Sequence, residues 1–247
     1  MDFSGRTAVI SGAASGMGLL SAQKLAAAGA AVVLTDINRD GVEASASAIR
    51  EQGGKALGLS VDVTDFQQIE GAAAAAVAAF GPIDILINCA GGDPGRVLKC
   101  SQEFKDRDLA VLDWGIDVNL KGALYFSRAV IGSMIEHRRG VIINLGSVTG
   151  ECGSAGSIEY SAAKTGMYGM TKSLALYGAP YGVRACCVTP GPVLTRPAMA
   201  KMRTPLGRAA EPTEVVDFIL YLCSDQAAFI TGSNHIIDGG RCCGGHS

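Results

Sequence analysis

Short apolar or β-branched runs alternate with longer, Ala-rich stretches of helical spacing along the whole chain, and this alternation marks βαβ units. The runs fall at 7–11, 31–35, 56–61, 83–88, 140–145, 183–189 and 234–237. The helical stretches lie at 17–28, 40–52, 66–80, 123–137, 162–179 and 213–223, several closed by Gly or Pro. Seven strands with intervening crossovers predict an α/β fold, a doubly wound and mostly parallel sheet with helices on both faces. No linker or internal repeat divides the pattern, so residues 1–247 read as one domain. Two stretches break the rhythm, 91–108 and 190–212, the second with five prolines. Both follow strands at their carboxyl ends, where open α/β sheets bind ligands.

Composition narrows the function. A formal charge of −2 argues against a nucleic-acid partner, which would favour a basic face. No apolar run is long enough to span a bilayer, and the first residues lead into a strand without a basic and then apolar leader, so a cytoplasmic location with no membrane partner is expected. Eight scattered cysteines in a chain of this size read as reduced thiols. Cys242, Cys243 and His246 are too few and too crowded for a metal centre, and no metal is expected.

Directly after the first run stands Ser11-Gly12-Ala13-Ala14-Ser15-Gly16-Met17-Gly18, followed by a helix. Glycines there allow a tight turn and close approach of backbone to a pyrophosphate at a helix N-terminus. Asp36 ends the second run 18 residues after Gly18, near the spacing of a carboxylate that holds the adenosine ribose. A carboxylate would repel the extra phosphate of NADP, so NAD is the expected cofactor, with Arg39 close enough to complicate the choice. The plainer reading of Asp36 is a helix N-cap.

Tyr160 and Lys164 stand four residues apart, on one face of a helix. A neighbouring ammonium favours the phenolate and brings the phenol toward acid/base use near neutral pH. Alone, such a pair is common on helix surfaces.

The wider pattern resembles the short-chain dehydrogenase/reductase superfamily in its single-domain form, over nearly the whole chain. The Gly-rich turn matches its cofactor motif with Ser11 in place of Thr; Asp62-Val63 matches its adenine-contact pair; Asn88-Cys89-Ala90-Gly91 matches its Asn-Asn-Ala-Gly strand end. Asn119 matches its structural Asn, Ser147 its catalytic serine 13 positions before Tyr160, and Pro190-Gly191 with Val193 and Thr195 its nicotinamide-side loop. The resemblance implies a Rossmann-type sheet and hydride transfer between NAD and a secondary alcohol or ketone. It assigns Asn119, Ser147, Tyr160 and Lys164 to catalysis. Gly12, Ser15, Gly16, Met17, Gly18, Asp36, Asp62, Val63, Asn88, Ala90, Gly91, Pro190, Gly191, Val193 and Thr195, with Tyr160 and Lys164, would contact the cofactor. Tyr160 would exchange the hydroxyl proton, Ser147 hold the substrate oxygen, Lys164 bind the nicotinamide ribose, and Asn119 support a water-linked proton path. A homodimer or homotetramer through 123–137 and 162–179 is implied as well.

The substrate is left to the loops at 91–110, 148–158 and 190–212. Arg96, Lys99, Glu103, Lys105, Asp106 and Arg107 would suit a polar or anionic substrate, or simply be a solvated loop and helix start. Glu151 stands in the second loop, and Met199 and Met202 in the third suit an adaptable lid or a core. A 3-oxoacyl-acyl-carrier-protein reductase using NADPH, with Arg128, Arg138 and Arg139 as carrier-docking cations, is the enzymatic alternative. A noncatalytic dinucleotide-binding protein is the alternative of another class.

Overall fold

A computed structural model of the chain describes residues 1–243. Seven strands, β1 Thr7–Ser11, β2 Ala31–Asp36, β3 Lys55–Ser60, β4 Ile85–Asn88, β5 Gly140–Leu145, β6 Val183–Pro190 and β7 Asn234–Ile237, form one sheet in the order β3-β2-β1-β4-β5-β6-β7. Every pairing is parallel. The Rossmann-type expectation therefore holds, and the sheet is parallel throughout rather than mostly so.

Nine α-helices connect the strands: α1 Gly16–Ala27, α2 Arg39–Glu51, α3 Phe66–Phe80, α4 Pro94–Val97, α5 Leu109–Ile116, α6 Gly122–Glu136, α7 Val148–Cys152, α8 Ile158–Gly178 and α9 Pro212–Cys223, counted among the described residues. Strand alternation sorts the core into two layers. Ile10, Leu34, Ile87, Ile143 and Val188 pack under α1, α2 and α9, whereas Val9, Val33, Leu86, Ile142 and Ala185 pack under α3 and α6. Burial on both faces explains why the strands read as continuous apolar runs rather than alternating ones.

The helices depart from the sequence reading where the chain approaches the cleft. Helix α8 starts at Ile158, four residues earlier than the predicted start at 162, so Tyr160 sits in its first turn. Helices α5 and α6 form one rod through a wide π turn, Asp117–Lys121, of which only the later part was expected as helix. Among the described residues, no helix is long and apolar enough to cross a membrane.

Strand order reverses between β1 and β4, because β1 pairs with β2 on one side and β4 on the other. Crossovers leave in opposite directions there and open a crevice at the carboxyl ends of the strands.

Candidate active site

A cleft of about 970 Å³ opens at that crevice and runs from the end of β2 to the loops after β4, β5 and β6. At its floor Gly12 adopts φ +67, and a Cβ there would stand 2.7 Å from the backbone of Ala90. A Cβ on Gly18 would fall 2.3 Å from the Gly12 carbonyl oxygen. Both glycines are therefore required for the turn to pass so close to β4. Ser15 precedes the first residue of α1 with no side-chain cap bond, and the first turn carries no acid. The helix N-terminus, with Ser15, Gly16, Met17 and Gly18 on the cleft wall, keeps amides and positive potential available to a phosphate.

Asp36 lines the same cleft and accepts hydrogen bonds from the amides of Ala14 and Asn38, each at 3.0 Å. It is not the cap of α2: that position belongs to Asn38, whose side chain accepts from the Gly41 amide at 3.1 Å. Arg39 is exposed and does not line the cleft. Ile37, 72% exposed, joins Asp62, Val63 and Thr64 as a shallow wall beyond Asp36. The Asp62 carboxylate shapes it by accepting from the Thr64 amide and hydroxyl, both at 2.8 Å. A glycine-lined cradle, an open helix N-terminus and a carboxylate beyond it fit a nicotinamide dinucleotide.

Ala90 and Gly91 line the cleft, but Asn88 does not. Its side chain is buried and donates to the Asn144 Oδ1 at 2.8 Å; Asn144 donates in turn to Thr171 at 2.9 Å, tying β4, β5 and α8 together beneath the site. Pro190 and Val193 are also set back, Val193 bridging to Ala210, while Gly191 and Thr195 form the exposed wall.

Ser147 and Tyr160 face the cleft together. Ser147 caps α7, accepting from the Thr149 amide at 3.2 Å. Burial pushes the Tyr160 phenol above its usual range and Asp93 adds to this, whereas the Ser147 hydroxyl, Arg96 and Arg196 pull it down. This corrects the expectation that Lys164 would depress the phenol: burial dominates, and two arginines are the principal opposing cations. Lys164 is fully enclosed, donates to the Leu145 carbonyl at 2.8 Å and lies 5.6 Å from the Tyr160 ring centre. Burial pushes its ammonium down to about 8, with the thiols of Cys187 and Cys89 pulling the other way.

Asn119 is buried within the π turn. It donates to the carbonyls of Gly92 and Gly115, each at 3.0 Å, and accepts from the Gly92 amide at 2.8 Å. With both N–H donors committed, its side chain serves to hold the loop after β4 rather than to face the cleft.

The charged loop divides in two. Arg96 lines the cleft; Arg107 turns inward, and its Nη1 donates to both oxygens of Glu159, at 2.8 and 3.1 Å. Asp93 caps α4 and accepts from the Ser157 hydroxyl, joining this loop to the segment before α8. Glu151 is drawn away from the cleft by the Asn234 amide at 2.6 Å. Met199 and Met202 do line it, as do Trp114, Arg196 and Arg241, which sequence patterning did not single out. Trp114 fell in a stretch without a helix assignment, and Arg196 is one charge in a Pro-rich loop.

Cys152 and Cys242 place their sulfurs 3.3 Å apart at the edge of the site. Among the described residues no group of three His, Cys, Asp or Glu side chains could hold a metal. His246 of the tail lies outside the described residues.

Known proteins resemble this chain over nearly its whole length. A family model described as enoyl-(acyl carrier protein) reductase matches residues 12–241. Trans-4-hydroxycyclohexanecarboxylate dehydrogenase of Sinomonas cyclohexanicum is 38% identical over 97% of this chain and 93% of its own. The cis-4-hydroxycyclohexanecarboxylate dehydrogenase of the same organism is 36% identical over 96% and 97%. The 3-oxoacyl-acyl-carrier-protein reductase FabG of Escherichia coli (strain K12) is 34% identical over 97% and 98%.

Proposed function

The chain belongs to the short-chain dehydrogenase/reductase family, whose members are oxidoreductases of hydroxyl and keto groups with a nicotinamide cofactor, and on that premise we propose that it is an NAD-dependent dehydrogenase of a secondary alcohol. The observation that carries this reading is the single cleft holding Tyr160 and Ser147 at one end and the Gly12–Gly18 turn with Asp36 at the other. Bound NAD supplies the hydride acceptor in oxidation, and NADH the donor in reduction.

The side chains of this chain supply the proton and the alignment. Tyr160 accepts the hydroxyl proton as the alcohol is oxidised, or donates it to the oxygen as the ketone is reduced. Its raised pKa leaves the phenol protonated at neutral pH, which suits donation directly; oxidation calls on the Ser147 hydroxyl, Arg96 and Arg196 to stabilise the phenolate. Ser147 hydrogen-bonds the reacting oxygen, and the family resemblance assigns the nicotinamide ribose to Lys164, four residues beyond Tyr160 on α8. Asp36 supports NAD over NADP through repulsion of a 2′-phosphate.

The resemblance to a 3-oxoacyl-acyl-carrier-protein reductase supports a second reading, in which NADPH drives ketone reduction. The cations expected to dock a carrier do not favour it. Arg139 pairs with Asp84 and Arg138 donates to the Pro180 carbonyl, both at the amino-terminal edge of the sheet, opposite the cleft, and Arg128 lies against Glu70. A noncatalytic role is disfavoured by the intact Ser147, Tyr160 and Lys164.

Turnover of a panel of secondary alcohols with NAD or NADP, followed by reduced-cofactor absorbance, tests the reading. Tyr160→Phe is expected to lower kcat by about 10²–10⁴ while cofactor binding persists; full activity in that variant would refute it. We extend the proposal to a cytoplasmic homodimer or homotetramer, supported by the exposed apolar Leu124 on α6 and Leu176 and Tyr177 on α8. Light scattering of the purified protein checks the assembly.

A further inference from the structure

The charges lining the cleft are segregated. Asp36 and Asp62 stand at the end next to the Gly-rich turn, while Arg96, Arg196 and Arg241 stand at the Tyr160 end with one acid, Asp93. That acid is occupied: it accepts from the Arg96 amide at 2.9 Å and from the Ser157 hydroxyl. Among the described residues, Arg6, Arg50, Arg107, Arg128, Arg139 and Arg208 each pair with a carboxylate, yet none of the three cleft arginines does.

Two of these arginines line the cleft with the catalytic tyrosine from different segments, one after β4 and one after β6. Arg96 projects from α4, where its Nη2 lies 2.7 Å from the position a Cβ on Gly92 would take, so that glycine leaves room for the guanidinium. Gly92 is itself clamped by Asn119. Arg196 follows the cofactor-side wall residue Thr195, and its side-chain contact is a long one, 3.8 Å from Nη2 to the Met199 sulfur. Arg241 is partly used by the Arg203 carbonyl at 3.4 Å. Unpaired guanidinium groups beside an apolar wall of Trp114, Met199 and Met202 match an amphipathic anion, because a planar fork binds a carboxylate through paired hydrogen bonds.

We infer that Arg96 and Arg196 form an anion subsite beside Tyr160 and that the substrate is a hydroxy acid, a secondary alcohol whose apolar frame also carries a carboxylate. The inference deepens the dehydrogenase reading and rests on it for placing the reacting hydroxyl at Tyr160. Both guanidinium groups also act on the Tyr160 phenol, which sets them within electrostatic reach of the reacting oxygen.

The test uses an unreactive probe, cyclohexanecarboxylate, against its uncharged methyl ester. Each is titrated calorimetrically into the full-length protein, with and without saturating NADH; quenching of Trp114, the single tryptophan, gives a second readout. The acid is expected to bind at least about tenfold more tightly than the ester, and Arg96→Met or Arg196→Met to lose at least about tenfold for the acid. Arg196→Lys, which keeps the charge, should recover part of that loss, and circular dichroism confirms that each variant is folded. Equal binding of acid and ester, no binding of the acid, or variants that bind it as the wild type does would overturn the subsite. A loss of NADH affinity without loss of acid affinity in Arg196→Met would assign that arginine to the cofactor's phosphates and overturn it too. Failure of the dehydrogenase reading is separate: it would show as no NADH binding and no alcohol turnover, while the acid titration without NADH still decides the subsite.

Discussion

Glu159, the residue before Tyr160, accepts two hydrogen bonds from a single nitrogen of Arg107, Nη1, and the two side chains are 3% and 5% exposed. The other terminal nitrogen of Arg107 donates to the carbonyls of Gln102 and Gly156, so one guanidinium binds the loop after β4 to the start of α8. Removing one partner leaves the other charge buried and alone. Arg107→Met is therefore expected to destabilise the protein by about 3–5 kcal/mol, and the double variant with Glu159→Met to recover part of that. Denaturant midpoints measure both effects. Since the pair holds the first turn of α8, kcat should remain reduced in the double variant even where stability returns.

Asp36 carries two duties, and a substitution separates them. Its oxygens hold the Ala14 and Asn38 amides, and its charge faces the cofactor end of the cleft. Asp36→Asn removes the charge and one acceptor, with an expected stability loss of about 1 kcal/mol. The ratio of kcat/KM with NAD to that with NADP should fall by about tenfold. An unchanged ratio would reduce Asp36 to a brace for the turn.

Buried Lys164 makes stability depend on pH in the cofactor-free protein. Its ammonium is pushed from 10.5 down to about 8 by burial. Below pH 8 the folded and unfolded chains both hold the proton, and the full cost of burying the charge is present. Between pH 8 and 10.5 the folded chain releases it while the unfolded chain keeps it, so this contribution to stability rises with pH. The gap corresponds to on the order of 3 kcal/mol. Lys164→Met should therefore gain stability relative to wild type at pH 7 and lose that advantage by pH 10, as read from urea midpoints at each pH.

Gly91 and Gly71 make opposite predictions under the same substitution. Gly91 has φ +146, and a Cβ there would stand 2.4 Å from the Asn119 Oδ1 that holds Gly92. Gly91→Ala should cost about 1–3 kcal/mol and raise KM for the cofactor. Gly71 lies inside α3, where a methyl group would find nothing within 4 Å, so Gly71→Ala should gain about 0.5–1 kcal/mol. Thermal melts of the two variants distinguish them.

The cleft's cofactor end was readable from local pattern because its parts are local. Gly12, Gly16 and Gly18 fall within one turn, Asp36 ends the next strand, and Tyr160 and Lys164 share one helical face. Asn88 shows the limit of that reading. It occupies the expected strand end, yet its amide turns inward to Asn144 because the polar chain toward Thr171 lies there. Arg96 and Arg107 show it again. Separated by ten residues in the same charged loop, one faces the cleft and the other is buried, and no spacing in the sequence distinguishes them.

By itself the amino-acid sequence determined the alternating parallel architecture, the glycine turn and the Tyr160–Lys164 face, since hydrophobic period, glycine conformation and helical repeat act between residues close in the chain. Only the tertiary structure decided which charges remain unpaired beside Tyr160, which carboxylate neutralises Arg107, and how burial outweighs neighbouring cations at the phenol. Those outcomes depend on contacts between distant segments and on the water they exclude, because pairing and desolvation are properties of the packed site rather than of any short stretch of chain.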